Sequence, residues 1–182
     1  MGQDKALLPL MDKPLIEHVV DRLQGLGTDF LITSNNPEPL AYLGIRLVQD
    51  LVPGTGPLNG LLTALEAARG DPVLAAACDM PFVNADLFRY MLDRAHDFDV
   101  VVPYRAGYYE PMHAVYAKTC IPAVQQSLAR KAKRLTSFFS EVRVLLISDP
   151  VLAGFDPWGI NFFNINTPQD LAEAERFLAA AN

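Results

Sequence analysis

PVLAAACDMPFV, residues 72–83, is the stretch from which the rest of the chain is read. Five or six small and branched apolar residues run without interruption into Asp79, and a Pro-Phe turn follows at once. A short continuous apolar run bounded by turn signals fits a strand buried on both faces. The carboxylate at its end then stands where the sheet meets solvent. From Asn84, a residue suited to an N-cap, a helix is expected to run to about His96. The unit is therefore strand, acid, turn, helix.

The same grammar repeats on both sides. Upstream, Leu15, Ile16, Val19, Val20, Leu23 and Leu26 mark one face of a helix between Pro14 and Gly25 or Gly27. DFLITS (29–34) reads as a strand and NNPEP (35–39) as a turn. GIRLVQD (44–50) is a second strand ending in an acid, Asp50, and a helix is expected over 58–69. Downstream, DVVVP (99–103), PMHAVYA (111–117) and RVLLIS (143–148) read as strands and IPAVQQSLAR (121–130) as a helix. Thr167, Pro168 and Asp170 supply the cap, first-turn proline and capping-box acid of a last helix ending near Ala181. Alternation of this kind implies an α/β fold with a mostly parallel sheet between helical layers, in one domain over 1–182. In such sheets ligands bind beyond the carboxyl ends of the strands. Asp50 and Asp79 stand at such ends, and Lys5 precedes the first helix.

Composition sets bounds. The 182 residues are 51% hydrophobic and 20% charged with a net charge of −6, which is ordinary for a globular protein and lacks the basic footprint of a nucleic-acid binder. Cys78 and Cys120 form no disulfide framework or zinc motif and read as structural thiols of a reducing compartment. Neither a membrane-spanning run nor a signal-peptide pattern is present, so a cytoplasmic protein without membrane association is expected.

Four places could carry chemistry. In GTGPLNGLL (54–62), Gly54, Gly56 and Gly60 permit close backbone approach, and helix entry at Pro57 leaves amide donors free for a phosphate or a base edge; a plain turn is the alternative. Asp79 suits Mg²⁺, which binds one or two carboxylates plus phosphate oxygens; an N-cap-like acid is the alternative. Asn164 and Asn166 could bond a ligand or only close the turn before the last helix. Arg130, Lys131, Lys133 and Arg134 could draw an anionic substrate or form a solvated helical face. His18, His96 and His113 have no metal spacing, and no nucleophile triad is evident.

In order along the chain, MGQDKALLPL, KPLIEHVVDRL, QDLVPGTGPLNGLLTAL, ACDMPFV and NFFNINTPQDL together resemble the molybdenum cofactor guanylyltransferases. These belong to the nucleotidyltransferases of glycosyltransferase-A-like, Rossmann-related fold. The resemblance implies transfer of GMP from GTP to molybdopterin with release of pyrophosphate, Mg²⁺ as cofactor, and acceptor molybdoenzymes or their chaperones downstream. Carried over position by position, it places Lys5 on the nucleotide phosphates and Asn35, or Thr33 two residues earlier, with Asp50 in the nucleotide site. Gly56, Pro57 and Leu58 fall near the guanine, and Asp79 falls on the Mg²⁺ ligand. Asn164 and Asn166 fall on the second substrate or the rim of the site, and Arg134, from the basic run, is a candidate for the same place. The family opens with a strand and a Gly-rich phosphate loop, of which the sequence shows only the closing Met1-Gly2. That first strand and loop are therefore expected to be missing, with weak GTP binding as the consequence. Cytidylyl or sugar-phosphate transfer, or non-catalytic carriage of the cofactor, are the alternative functions.

Overall fold

The computed structural model describes residues 4–50 and 56–180, so Gly2 and Gly54 lie outside the described residues. After a 3-10 turn at Lys5–Leu7, strands β1 (Pro9–Leu10) and β2 (Lys13–Pro14) form a small antiparallel hairpin that leads into α1 (Leu15–Leu23). β3 (Leu31–Thr33), β4 (Arg46–Val48), α2 (Pro57–Ala67), β5 (Val73–Ala76) and α3 (Ala85–Leu92) follow. Then come β6 (Val100–Arg105), β7 (Tyr108–Tyr109), β8 (His113–Tyr116), α4 (Ile121–Ala129), β9 (Val144–Ser148), α5 (Asp149–Leu152) and α6 (Pro168–Ala180).

β3 and β4 pair in parallel, Leu31 opposite Arg46. The larger ladder runs β5-β8-β6-β7, with β9 parallel to β6. β8 is antiparallel to both β5 and β6, so β5, β6 and β9 point one way and β8 the other. The expected α/β fold is present, and the reversed β8 arises because the chain turns back after β6. Ala106 and Gly107, with φ of 48° and 87°, make that two-residue hairpin turn between Arg105 and Tyr108.

Alternation along the strands builds two cores. Val101, Val115 and Ile147 face a core with Val19 and Leu23 of α1 and Leu87, Phe88 and Met91 of α3. Val100, Val102, Ala114 and Tyr116 face the other side, against Leu58, Leu61 and Leu65 of α2, Val124 of α4, and Phe138. Successive strand residues point to opposite faces, so one uniformly apolar run feeds both layers. Each fully buried valine contributes about 1.5–3 kcal/mol. A smaller cluster of Leu10, Leu15, Phe82 and Ile165 with Ala174 holds α6 in place.

Helix ends follow the sequence. The Asn84 side chain accepts hydrogen bonds from the amides of Asp86 and Leu87 at 2.8 and 3.0 Å and so caps α3. Asp170 N donates to Thr167 Oγ1 while Thr167 N donates to Asp170 Oδ2, closing the capping box of α6. The amides of Asn166 and Thr167, which both donate to it, hold the Asp170 carboxyl below its usual range. The basic run from Arg130 departs from a helical face: α4 stops at Ala129, Lys131 adopts a φ of 59°, and Arg130 pairs with Glu141.

Candidate active site

Lys5 lies in the 3-10 turn that Asp4 caps by accepting from Ala6 N at 3.1 Å. The lysine ammonium donates to Asn166 Oδ1 at 2.5 Å and stands 3.6 Å from Asp79 Oδ2. Residues separated by 161 positions thus meet at the carboxyl end of β5. The backbone holds them there. Ile165 N donates to the Asp79 carbonyl at 2.9 Å, stitching the segment before α6 onto the turn after β5. Burial beside Asp79 and Asp4 pushes the neighbouring Cys78 thiol up to about 11, so it stays protonated at neutral pH.

A second group gathers at the ends of β3 and β4. Asp50 follows β4, and its Oδ1 is buried without a hydrogen-bond partner among the described residues. Desolvation raises its pKa, and a hydrogen bond from the Asn35 side chain opposes the rise. Gly60, on α2, packs beside it. A Cβ at that position would come within 3.7 Å of Asp50 Oδ1 and 3.8 Å of Thr33 Oγ1. An acceptor oxygen withdrawn from water without a partner is an unmet hydrogen-bonding demand, costing about 1–3 kcal/mol while it lasts.

Gly56 caps α2 with a φ of 86°, a conformation that L side chains rarely adopt, and Pro57 takes the first helical position. Leu58 differs from the expectation that it borders a ligand: it is buried in the core beneath α2, so its side chain packs. Asn164 Nδ2 donates to the Phe162 carbonyl at 3.3 Å, the turn-closing role weighed for it. Arg134 stands exposed at the start of the 3-10 segment Leu135–Glu141, and no described hydrogen bond or ion pair joins it to Lys5, Asp79 or Asn164.

Sequence reading passed over Arg105 and Glu110, which the β6–β7 turn sets 3.9 Å apart, with the guanidinium 5.2 Å from the centre of the Phe162 ring. The signal available was the Ala106-Gly107 dipeptide, which brings its flanks together. His113 is wholly buried, its ring stacked on Phe88 at 4.4 Å, and burial lowers its pKa to about 3. The histidine is therefore neutral and belongs to the core.

Among the described residues no group of three or more His, Cys, Asp or Glu side chains could hold a metal ion, and no helix is long and apolar enough to cross a membrane. The donor set at Asp79 is one accessible carboxylate. It fits a hard divalent cation whose remaining ligands are phosphate oxygens and water rather than protein.

Residues 1–150 match the family model described as the MobA-like NTP transferase domain. A probable molybdenum cofactor guanylyltransferase of Pelotomaculum thermopropionicum is 38% identical over 174 residues, spanning 96% of this chain and 85% of that protein. One from Carboxydothermus hydrogenoformans is 35% identical over 170 residues, spanning 93% and 86%. Molybdopterin-guanine dinucleotide biosynthesis protein A from Archaeoglobus fulgidus has a similar structure, with a TM-score of 0.82 and 26% identity over 98% of this chain and 92% of that one.

Proposed function

Because the chain belongs to the MobA-like NTP transferase domain family, we propose that it transfers GMP from GTP to molybdopterin, forming the guanine dinucleotide and pyrophosphate. The observation that carries this reading is Lys5 held between Asn166 and Asp79 at the end of β5. The reaction joins an acceptor phosphate oxygen to the α-phosphorus of GTP and breaks the bond to the β-phosphate. It needs positioning and charge neutralisation, not a protein nucleophile.

Each residue then has a task. Lys5 offsets negative charge on the phosphates as pyrophosphate departs, and Asn166 fixes the direction of its ammonium. Asp79 would hold Mg²⁺ together with the triphosphate; when bound, the ion neutralises phosphate charge. Asp50 accepts the N1–H and 2-amino donors of guanine, which meets the demand of its buried oxygen, with Asn35, Thr33 and Gly60 shaping the space. Gly56 and Pro57, which open α2, lie beside the nucleotide, whereas Asn164 keeps the rim in register for the acceptor.

The test is pyrophosphate release and dinucleotide formation with molybdopterin, Mg²⁺ and either GTP or CTP. Product from GTP alone is expected, and Asp79→Asn should lower kcat about 100-fold or more. The fold should survive that change, because the contact to Ile165 uses the Asp79 backbone carbonyl. No product from either nucleotide, or product from CTP only, overturns the reading.

A further inference from the structure

Glu110 and Arg105 form a pair whose hydrogen-bonding capacity is unspent. No described hydrogen bond reaches the Glu110 carboxylate or the Arg105 guanidinium, and their 3.9 Å separation lies beyond hydrogen-bond distance. Glu110 is nevertheless largely withdrawn from solvent, its side chain 19% exposed, and desolvation raises its pKa against the pull of Arg105. The backbone that carries it is fixed. Glu110 N donates to the Pro103 carbonyl, and the Glu110 carbonyl accepts from His113 N, each at 3.0 Å. Arg105 is set over Phe162. A rigid, half-buried carboxylate and guanidinium, paired by charge but with no described side-chain hydrogen bond, describe a receptor for a ligand edge bearing both donors and acceptors.

Its position relates it to the transfer centre. Ala76 of β5 lies opposite His113 of β8, and Ala77 N donates to the Met112 carbonyl. The two strands are antiparallel, so the chain beyond Ala76 and the chain before His113 leave the sheet at the same end. Asp79 is three residues beyond Ala76, and Glu110 three residues before His113. Phe162, beneath Arg105, belongs to the segment that Ile165 ties to Asp79.

We propose that Glu110 and Arg105 bind the aminopyrimidinone edge of the acceptor's pterin. The carboxylate accepts from the ring N3–H and the 2-amino group, and the guanidinium donates to the O4 carbonyl. This rests on the guanylyltransferase reading and extends it to the second substrate. Guanine and pterin share that edge, a ring N–H beside an exocyclic amine, and a carboxylate is its natural complement. The structure offers two desolvated carboxylates at strand ends, Asp50 and Glu110, on separate ladders. One serves each half of the dinucleotide product.

Wild type, Glu110→Gln and Arg105→Lys are compared in steady state with GTP, Mg²⁺ and molybdopterin. The inhibitors are 6-hydroxymethylpterin and its 2-oxo analogue, 6-hydroxymethyllumazine. In wild type the pterin should compete with molybdopterin at least about tenfold better than the lumazine, since the analogue lacks the amino donor. Glu110→Gln should raise the molybdopterin KM about tenfold or more, leave the GTP KM within about twofold, and erase the preference for pterin over lumazine. Arg105→Lys, which keeps the charge but loses the planar fork, should raise the molybdopterin KM in the same sense. Unchanged molybdopterin KM and unchanged inhibitor preference in variants that melt like wild type overturn the assignment. Absence of GMP transfer by wild type instead overturns the parent reading.

Discussion

At the scale of the residue, Asp50 shows how a site trades stability for recognition. Its carboxyl is desolvated and its pKa raised, so ionisation is disfavoured in the fold. A raised folded-state value means that the stability contribution is present below the unfolded pKa and is lost as pH rises through the folded one. At pH 7 wild type carries that loss, and Asp50→Asn removes it. The variant should melt higher than wild type at pH 7, with the gap narrowing as pH falls through the carboxyl range. Affinity should move oppositely. An amide presents N–H groups to a base edge that itself donates, and loss of a charged hydrogen bond weakens GTP binding about 10- to 100-fold. Thermal melts across pH and calorimetric titration with GTP·Mg²⁺ read the two effects separately; a variant that melts lower at pH 7 would overturn the account of Asp50.

At the scale of the element, α2 carries a helix-interior glycine for the site's sake. Alanine at Gly60 would make only ordinary contacts, 3.7 and 3.8 Å from Asp50 Oδ1 and Thr33 Oγ1, and it removes glycine's entropic penalty. Gly60→Ala should therefore stabilise the protein by about 0.5–1 kcal/mol. It should also weaken GTP binding, because the methyl lies beside Asp50; denaturant melts and GTP titration together check this. The glycine was visible in GTGPLNGLL, but its reason was not. Periodicity predicts a helix over 58–69, observed at Pro57–Ala67, whereas which glycine faces β3 and β4 depends on how that helix docks. Elements with local signals were legible, including the Asn84 cap, the Thr167–Asp170 box and the acid closing the β5 stretch. The 3-10 segment Leu135–Glu141, the β1–β2 hairpin and the end of α4 were not, since packing rather than pattern fixes them.

At the scale of the whole molecule, chemistry and cohesion occupy opposite ends of the sheet. Lys5, Asp79, Asn166 and Glu110 lie at the carboxyl end of β5, and no spacing rule in the sequence unites them. At the other end Asp99 ties three strands together. Its carboxylate accepts from Arg143 N at 2.9 Å, Arg143 Nε at 3.1 Å and Thr119 Oγ1 at 2.6 Å, and its carbonyl accepts from Ala117 N at 2.8 Å. β6 and β9 begin there and β8 ends there. Arg143 foremost, with Thr119, holds the Asp99 carboxyl down from its ordinary value near 3.8 to about 2. A depressed folded-state pKa gives stability that is present above the unfolded value and lost as pH falls through the folded one. Wild type should thus lose this contribution between about pH 4 and pH 2, and Asp99→Asn should lack that part of the acid slope. At pH 7 the variant should be less stable by about 1–2 kcal/mol, the lower part of the range for charged hydrogen bonds because solvent screens part of the interaction. Its KM for GTP should equal that of wild type, since nothing at this end reaches the site. Denaturant melts from pH 2 to 7, paired with GTP saturation at pH 7, test the division of labour; a changed KM with unchanged stability would reverse it.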